Sequence, residues 1–227
     1  ARFLVLPGEN AAHARVLRLK AGESVTICDA KGTDFQCVIS DIAPEQVSLV
    51  VQSEAPSRAE PGVFCSVYMA FAKAEKLEHV VQKATELGVS EIAVFSSRYC
   101  SAYMNENKLE RLAKVAREAA KQCLRASVPA VEYYSSLEEA LASCAGYENK
   151  LFACEFAEKS EANLRGLKGS CALVVGSEGG FAPEEFERAR AAGFAGISLG
   201  RRILRAETAA VAFTAVTMFL LGELGQA

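Results

Sequence analysis

The sequence predicts an α/β protein in two parts: a small N-terminal β-barrel and a larger domain built on a mostly parallel sheet. Three observations predict it. Short apolar–polar alternations separated by turn residues fill the chain up to about Glu54. The segment Glu54–Gly62, EAPSRAEPG, is polar, holds two prolines and reads as a linker. From Val63 onward, continuous apolar runs alternate with helical patterns, the signature of strands buried on both faces between crossover helices. The expected domains are therefore 1–60 and 61–227.

In the first part, RFLVL, ESVTICDA, DFQCVISDI and QVSLVVQSE alternate with period two, and Pro7-Gly8, Gly22, Gly32 and Pro44 break them. NAAHARVLRLK interrupts them as a helix, with Asn10 the expected N-cap. In the second part VFCSVYMAF is a buried strand, and the helix AEKLEHVVQKATELG follows, with Leu77, Val80, Val81, Ala84 and Leu87 on one face and Gly88 just past its end. EIAVFSS is the next strand. ENKLERLAKVAREAAKQCL is a long helix whose apolar face runs from Leu109 to Cys123 and Leu124. AVEYY, SLEEALASC, KLFACEF, CALVVG, PEEFERARAAG, GISLG and a final apolar helix continue the alternation. Ligands bind off the carboxyl ends of strands in such sheets, and Gly176 and Gly200 stand at two such ends.

Composition narrows the function classes. With 51% hydrophobic and 23% charged residues the chain is globular rather than disordered. The N-terminus shows no secretory pattern. The longest uncharged run, Thr208–Gly222, is shorter than the roughly 20 residues of a spanning helix and reads as a core or interface helix. The 8 cysteines are scattered without a C-x-x-C pair, and there are only 2 histidines, so neither a zinc site nor a disulfide framework is expected. Free thiols imply a reduced, cytoplasmic protein. A net charge of −3 excludes a protein that coats nucleic acid indiscriminately, so such contacts must come from local clusters, of which GRRILR is the densest.

Two motifs carry the chemistry. VVGSEGGFAPEEF runs from strand through an open-backboned turn to helix. It lacks the G-x-x-x-x-G-K-[ST] phosphate loop and the G-x-G-x-x-G dinucleotide fingerprint, and Glu178 would oppose a pyrophosphate. A tight strand-to-helix connection explains Pro183, Glu184 and Glu185 at a helix start but not the adjacent glycines after Glu178. ISLGRRILRAETAAVAF repeats the arrangement, with Arg205 and Glu207 also readable as an ion pair at a helix start.

Together with KAEKLEHVVQKATELGVSEI, EAAKQCLRASVP and the N-terminal HARVLRLKAGE, these motifs resemble the RsmE-type 16S ribosomal RNA (uracil-N3) methyltransferases of the SPOUT superfamily over almost the whole chain. The departures are Ser177 where the family usually has proline, Cys123 where it often has serine and Ala206 where it often has threonine. The resemblance implies a PUA-like RNA-binding barrel followed by a SPOUT domain with a deep trefoil knot, S-adenosylmethionine as methyl donor, and no metal. It implies donor contacts from Val175, Gly176, Glu178 and Gly180, from Ser198, Leu199, Gly200, Ile203 and Leu204, and from Thr208 and Ala209. It also implies a homodimer through the SPOUT domain, with Gln122 and Arg125 near the pocket. Arg205 is expected to stabilise the uracil anion, with Glu207 as base or as orienter of Arg205. Arg18, Lys20, Lys73, Lys83, Arg98, Arg201 and Arg202 are the expected phosphate contacts of 16S ribosomal RNA or the small subunit. Rival readings are a non-catalytic RNA-binding protein, a Rossmann-type nucleotide enzyme, and a SPOUT enzyme with another RNA target.

Overall fold

The computed structural model describes residues 2–29, 31–100, 103–155 and 161–225. The chain divides into two units. One runs to Glu60 and takes in Leu124–Ser127; the other holds Pro61–Cys123 and the chain from Val128 onward.

The first unit contains β1 (Arg2–Pro7), α1 (Gly8–Val16), β2 (Ser24–Cys28), β3 (Thr33–Ile42) and β4 (Gln46–Pro56). The strands pair antiparallel in the order β1-β4-β3-β2. Where the sequence suggests a closed barrel, the hydrogen-bonded sheet is open among the described residues. Four strands are too few to wrap around a filled interior, and α1 covers the apolar face instead, placing Ala11 and Ala14 against Phe35, Cys37, Ile39, Val47 and Leu49. Asn10 is not the N-cap: Pro7, in extended conformation, precedes the helix and Asn10 lies inside it. The segment read as a linker is strand at its start, since Glu54, Ala55 and Pro56 pair with Phe35, Asp34 and Thr33. Arg125 is buried in this unit, its guanidinium 3.0 Å from the Glu60 carboxylate, which also accepts from Ser127.

The second unit contains β5 (Cys65–Ala70), α2 (Ala74–Glu86), β6 (Glu91–Phe95), α3 (Glu106–Gln122), β7 (Ala130–Tyr134), α4 (Leu137–Ser143), β8 (Asn149–Ala153), β9 (Cys171–Val175), α5 (Pro183–Ala191), β10 (Ala195–Ile197) and α6 (Ala206–Leu220). All six strands are parallel, in the order β10-β8-β9-β5-β6-β7. Period-two alternation sorts each strand between two cores. Val67, Met69, Leu173 and Val175 join Leu77, Val80, Leu112, Ala210, Phe213 and Met218 on the face covered by α2, α3 and α6. Tyr68, Ala70, Ala172 and Val174 join Leu137, Ala140, Phe186 and Ala189 on the face covered by α4 and α5. Leu124 departs from its expected place: φ turns to +63° there, the helical period stops, and the side chain is exposed. Among the described residues no helix is long and apolar enough to cross a membrane.

Candidate functional site

The site is built where three neighbouring strands end. Val175, Ala153 and Ile197 are the last residues of β9, β8 and β10, and the loops beyond them line a cavity of about 500 Å³. One wall is the turn 176–182. Its Gly180 N–H donates to the Ser177 carbonyl at 3.0 Å, and Gly180 takes φ +68°, which favours glycine. A Cβ on Gly179 would lie 2.7 Å from Tyr99 Cβ, so the turn can lie this close to the loop after β6 only as glycine. The buried Phe181 ring anchors the turn, its centroid 4.2 Å from that of Phe152. Glu185, buried in the first turn of α5, accepts from the backbone N–H of Ala182 (2.8 Å) and of Arg98 (2.9 Å), tying the start of α5 to the β6 exit.

The opposite wall is the segment 198–205 that leads into α6. Gly200 has φ +107°, and nothing lies within 4 Å of where its Cβ would stand, so its main chain is open to the cavity. Arg201, Arg202 and Arg205 are exposed residues in the lining of the cavity. Among the described residues none of the three makes an ion pair.

The structure gathers most of the residues named from the sequence. Val175, Gly176, Glu178, Gly180, Ser198, Leu199, Gly200, Ile203, Leu204, Arg205 and Ala209 all line the cavity. Thr208, exposed, and Glu207, half-buried, are not among the residues that line the cavity. The ion pair that adjacency suggests for Glu207 and Arg205 is replaced by another: Glu207 Oε2 lies 3.3 Å from Lys76 Nζ, which also reaches Glu178 Oε1 at 3.4 Å. Burial pushes the Glu207 carboxyl up; its own backbone N–H, Lys76 and the Arg205 charge more than reverse this, leaving it below the usual carboxylate range. For Glu178, burial is likewise outweighed, by its own N–H, the Lys73 N–H and Lys76.

The remaining sequence-named cations are dispersed. Arg18 and Lys20 are exposed in the first unit, and Lys73 is exposed just before α2. Lys83 is held by both oxygens of Glu86 at 2.9 Å, and Arg98 lies 3.3 Å from Glu184. Gln122 ends α3 as an exposed residue, and Arg125 is committed to Glu60. Sequence reasoning missed Lys76, Glu155 and Phe181 on the cavity wall. Phe181 was within reach, as the first apolar residue after the glycines. Lys76 was not, because its partners lie far along the chain.

Known proteins share the sequence and the fold of this chain. Residues 60–218 match the RNA methyltransferase domain and residues 6–52 the RNA methyltransferase PUA domain. The Ribosomal RNA small subunit methyltransferase E of Bacillus subtilis is 30% identical over 217 residues, covering 90% of this chain and 85% of the relative. That of Mycobacterium tuberculosis is 30% identical, covering 91% and 82%. The crystal structure of the Neisseria gonorrhoeae enzyme bound to S-adenosyl methionine superposes with a TM-score of 0.89 at 27% identity, covering 97% of this chain and 92% of that one. A Legionella pneumophila methyltransferase solved with the cofactor SAM gives 0.83 at 28% identity, covering 96% and 92%. With both sequence and structure matching over nearly its whole length, the chain belongs to the RsmE-type ribosomal RNA methyltransferases of the SPOUT superfamily.

Proposed function

We propose that this protein transfers a methyl group from S-adenosylmethionine to N3 of one uridine of 16S ribosomal RNA, in the decoding region of the small subunit, during ribosome maturation in the cytoplasm. The observation that carries the proposal is a cavity walled by two glycine-bearing segments at the ends of β8, β9 and β10, with Arg205, which makes no ion pair among the described residues, in its lining. Its volume is that of a small-molecule site. Its surface fits the donor: Val175, Leu199, Leu204 and Ala209 supply apolar area for a flat ring, and the backbone of the two glycine segments supplies polar groups without Cβ obstruction. When bound, the donor supplies an electrophilic methyl on a sulfonium.

The chain's own residues do the rest. N3 of uracil is a poor nucleophile until its proton passes to solvent water; the Arg205 guanidinium stabilises the resulting anion, whose N3 would form the new bond to the methyl as the methyl–sulfur bond breaks and the sulfur leaves as a neutral thioether. Glu207, ionised and held by Lys76 outside the lining, acts on the orientation of the Arg205 segment rather than as the base. Arg201 and Arg202 supply phosphate contacts at the cavity, Lys73 and Arg98 supply others in the second unit, and Arg18 and Lys20 serve the first unit's own contacts with RNA. The first unit serves as a PUA-like RNA grip, which the match over 6–52 supports. The crossing of β8, β9 and β10 in the sheet supports a trefoil knot. The apolar outer side of α6, where Val216 and Phe219 are exposed, supports a homodimer through the SPOUT domain.

The test is nucleoside analysis of 16S RNA from a strain lacking the protein. Loss of 3-methyluridine at one position, restored by the wild-type gene, is the expected result. Retention of that nucleoside in the deletion strain contradicts the assignment.

A further inference from the structure

Lys76 lies in the first turn of α2, and its ammonium is the common neighbour of two carboxylates from separate segments: Glu178 of the glycine turn at 3.4 Å and Glu207 of the α6 start at 3.3 Å. The three side chains are 25%, 28% and 19% exposed, partly withdrawn from water, so their charges are only partly screened. The Lys73 backbone N–H, at the same helix end, donates to Glu178 Oε1 at 3.3 Å. Glu207 Oε2 is buried and finds no hydrogen bond of good geometry, and the carboxylate is compensated by its own backbone N–H, then by Lys76 and the Arg205 charge. Without Lys76, two carboxylates face each other across the junction of the cavity's two walls, and like charges so placed push those walls apart.

We propose that Lys76 is a positioning residue for methyl transfer: its ammonium clamps the glycine turn to the start of α6, holding both walls at the spacing that receives the donor and aiming Arg205 into the cavity. The proposal rests on the donor-binding reading above. Lys76 touches neither reacting atom in this account; it acts through Glu178, Glu207 and the segment that carries Arg205. The charged groups around the two carboxylates are Lys76 from α2, Arg205 before α6, and each other. Both carboxyls lie below the usual range with Lys76 among the causes, so removing the ammonium raises them. In the wild type, protonating either carboxyl releases the clamp, whereas without the ammonium protonation relieves the repulsion between them, so the variant's deficit relative to wild type narrows as pH falls.

The experiment pairs Lys76→Met with Lys76→Arg. It reads S-adenosylmethionine affinity by calorimetry and the pH dependence of methyl transfer to small subunits from a strain lacking the protein. Lys76→Met is expected to weaken donor binding on the order of tenfold at neutral pH, with a deficit that narrows as pH falls, and Lys76→Arg to restore wild-type behaviour. An unchanged affinity and pH profile in Lys76→Met, or a Lys76→Arg variant no better than it, overturns the clamp. Should Lys76→Met fail to fold, the double variant Lys76→Gln with Glu178→Gln, which removes a carboxylate along with the ammonium, takes its place with the same two readouts. There donor binding weaker than wild type, with a deficit that narrows as pH falls, supports the clamp, and wild-type affinity overturns it. Absence of donor binding by the wild type overturns the underlying reading and the clamp together, whereas wild-type binding with an indifferent variant overturns the clamp alone.

Discussion

Arg205 and Glu207 sit two residues apart, and their separation in space decides their roles. Glu207 turns back to Lys76, which leaves the Arg205 guanidinium without an ion pair among the described residues and available to charge that develops in the cavity. An arginine that meets charge only in the transition state contributes to rate more than to binding. Arg205→Ala is therefore expected to lower the rate of methyl transfer by about 10²–10³, while donor affinity measured by calorimetry changes by less than about threefold. A parallel loss of both would assign Arg205 to donor binding instead. Most of the cavity lining was legible in the sequence because it follows two contiguous glycine-bearing motifs. Lys76 was not: an ordinary helix-start lysine acquires its meaning only when the sheet order brings β5, β9 and β10 exits together.

Among the elements, α5 shows how a helix start fixes the site. Pro183 opens the helix, and the buried Glu185 carboxylate takes two backbone N–H groups, one from Ala182 and one from Arg98. Glu185→Ala orphans both donors in a region closed to water, and about 1–3 kcal/mol of stability is expected to be lost. Urea unfolding checks this; a loss below about 0.5 kcal/mol would mean that water replaces the carboxylate. The strand–helix alternation of the second unit could be read because continuous apolar runs and 3.6-residue periods differ plainly. The closure of the first sheet could not, since alternation reports a covered face but not what covers it. In that unit the cover is α1, whose alanines give little amphipathic signal. The helical period also carried Leu124 into the core, whereas the backbone leaves the helix at that residue.

For the whole molecule, pH acts through two opposed sets of carboxyls. Burial raises the Glu91 carboxyl, and the charge of Glu132 adds to it, against the hydrogen bonds from Tyr68 and Tyr147. Its native pKa stands above the unfolded one, so its ionisation costs stability as pH rises through the native value. Glu91→Gln should thus gain stability relative to wild type at pH 8 compared with pH 4, measured by urea midpoints; an equal difference at both pH values would contradict the assignment. Glu60 has the opposite sign. Burial raises it, but hydrogen bonds from Arg125 and Ser127 bring it below the usual range, so its contribution is present above the unfolded pKa and is lost as pH falls through the native one.

Methyl transfer to uridine N3 is read most directly with purified protein, S-adenosylmethionine labelled in its methyl group, and small ribosomal subunits from a strain lacking the protein. Label is expected in 3-methyluridine with the wild type and little or none with Arg205→Ala. Label recovered in any other nucleoside, or donor bound tightly with no label transferred to subunits or to naked 16S RNA, would contradict it.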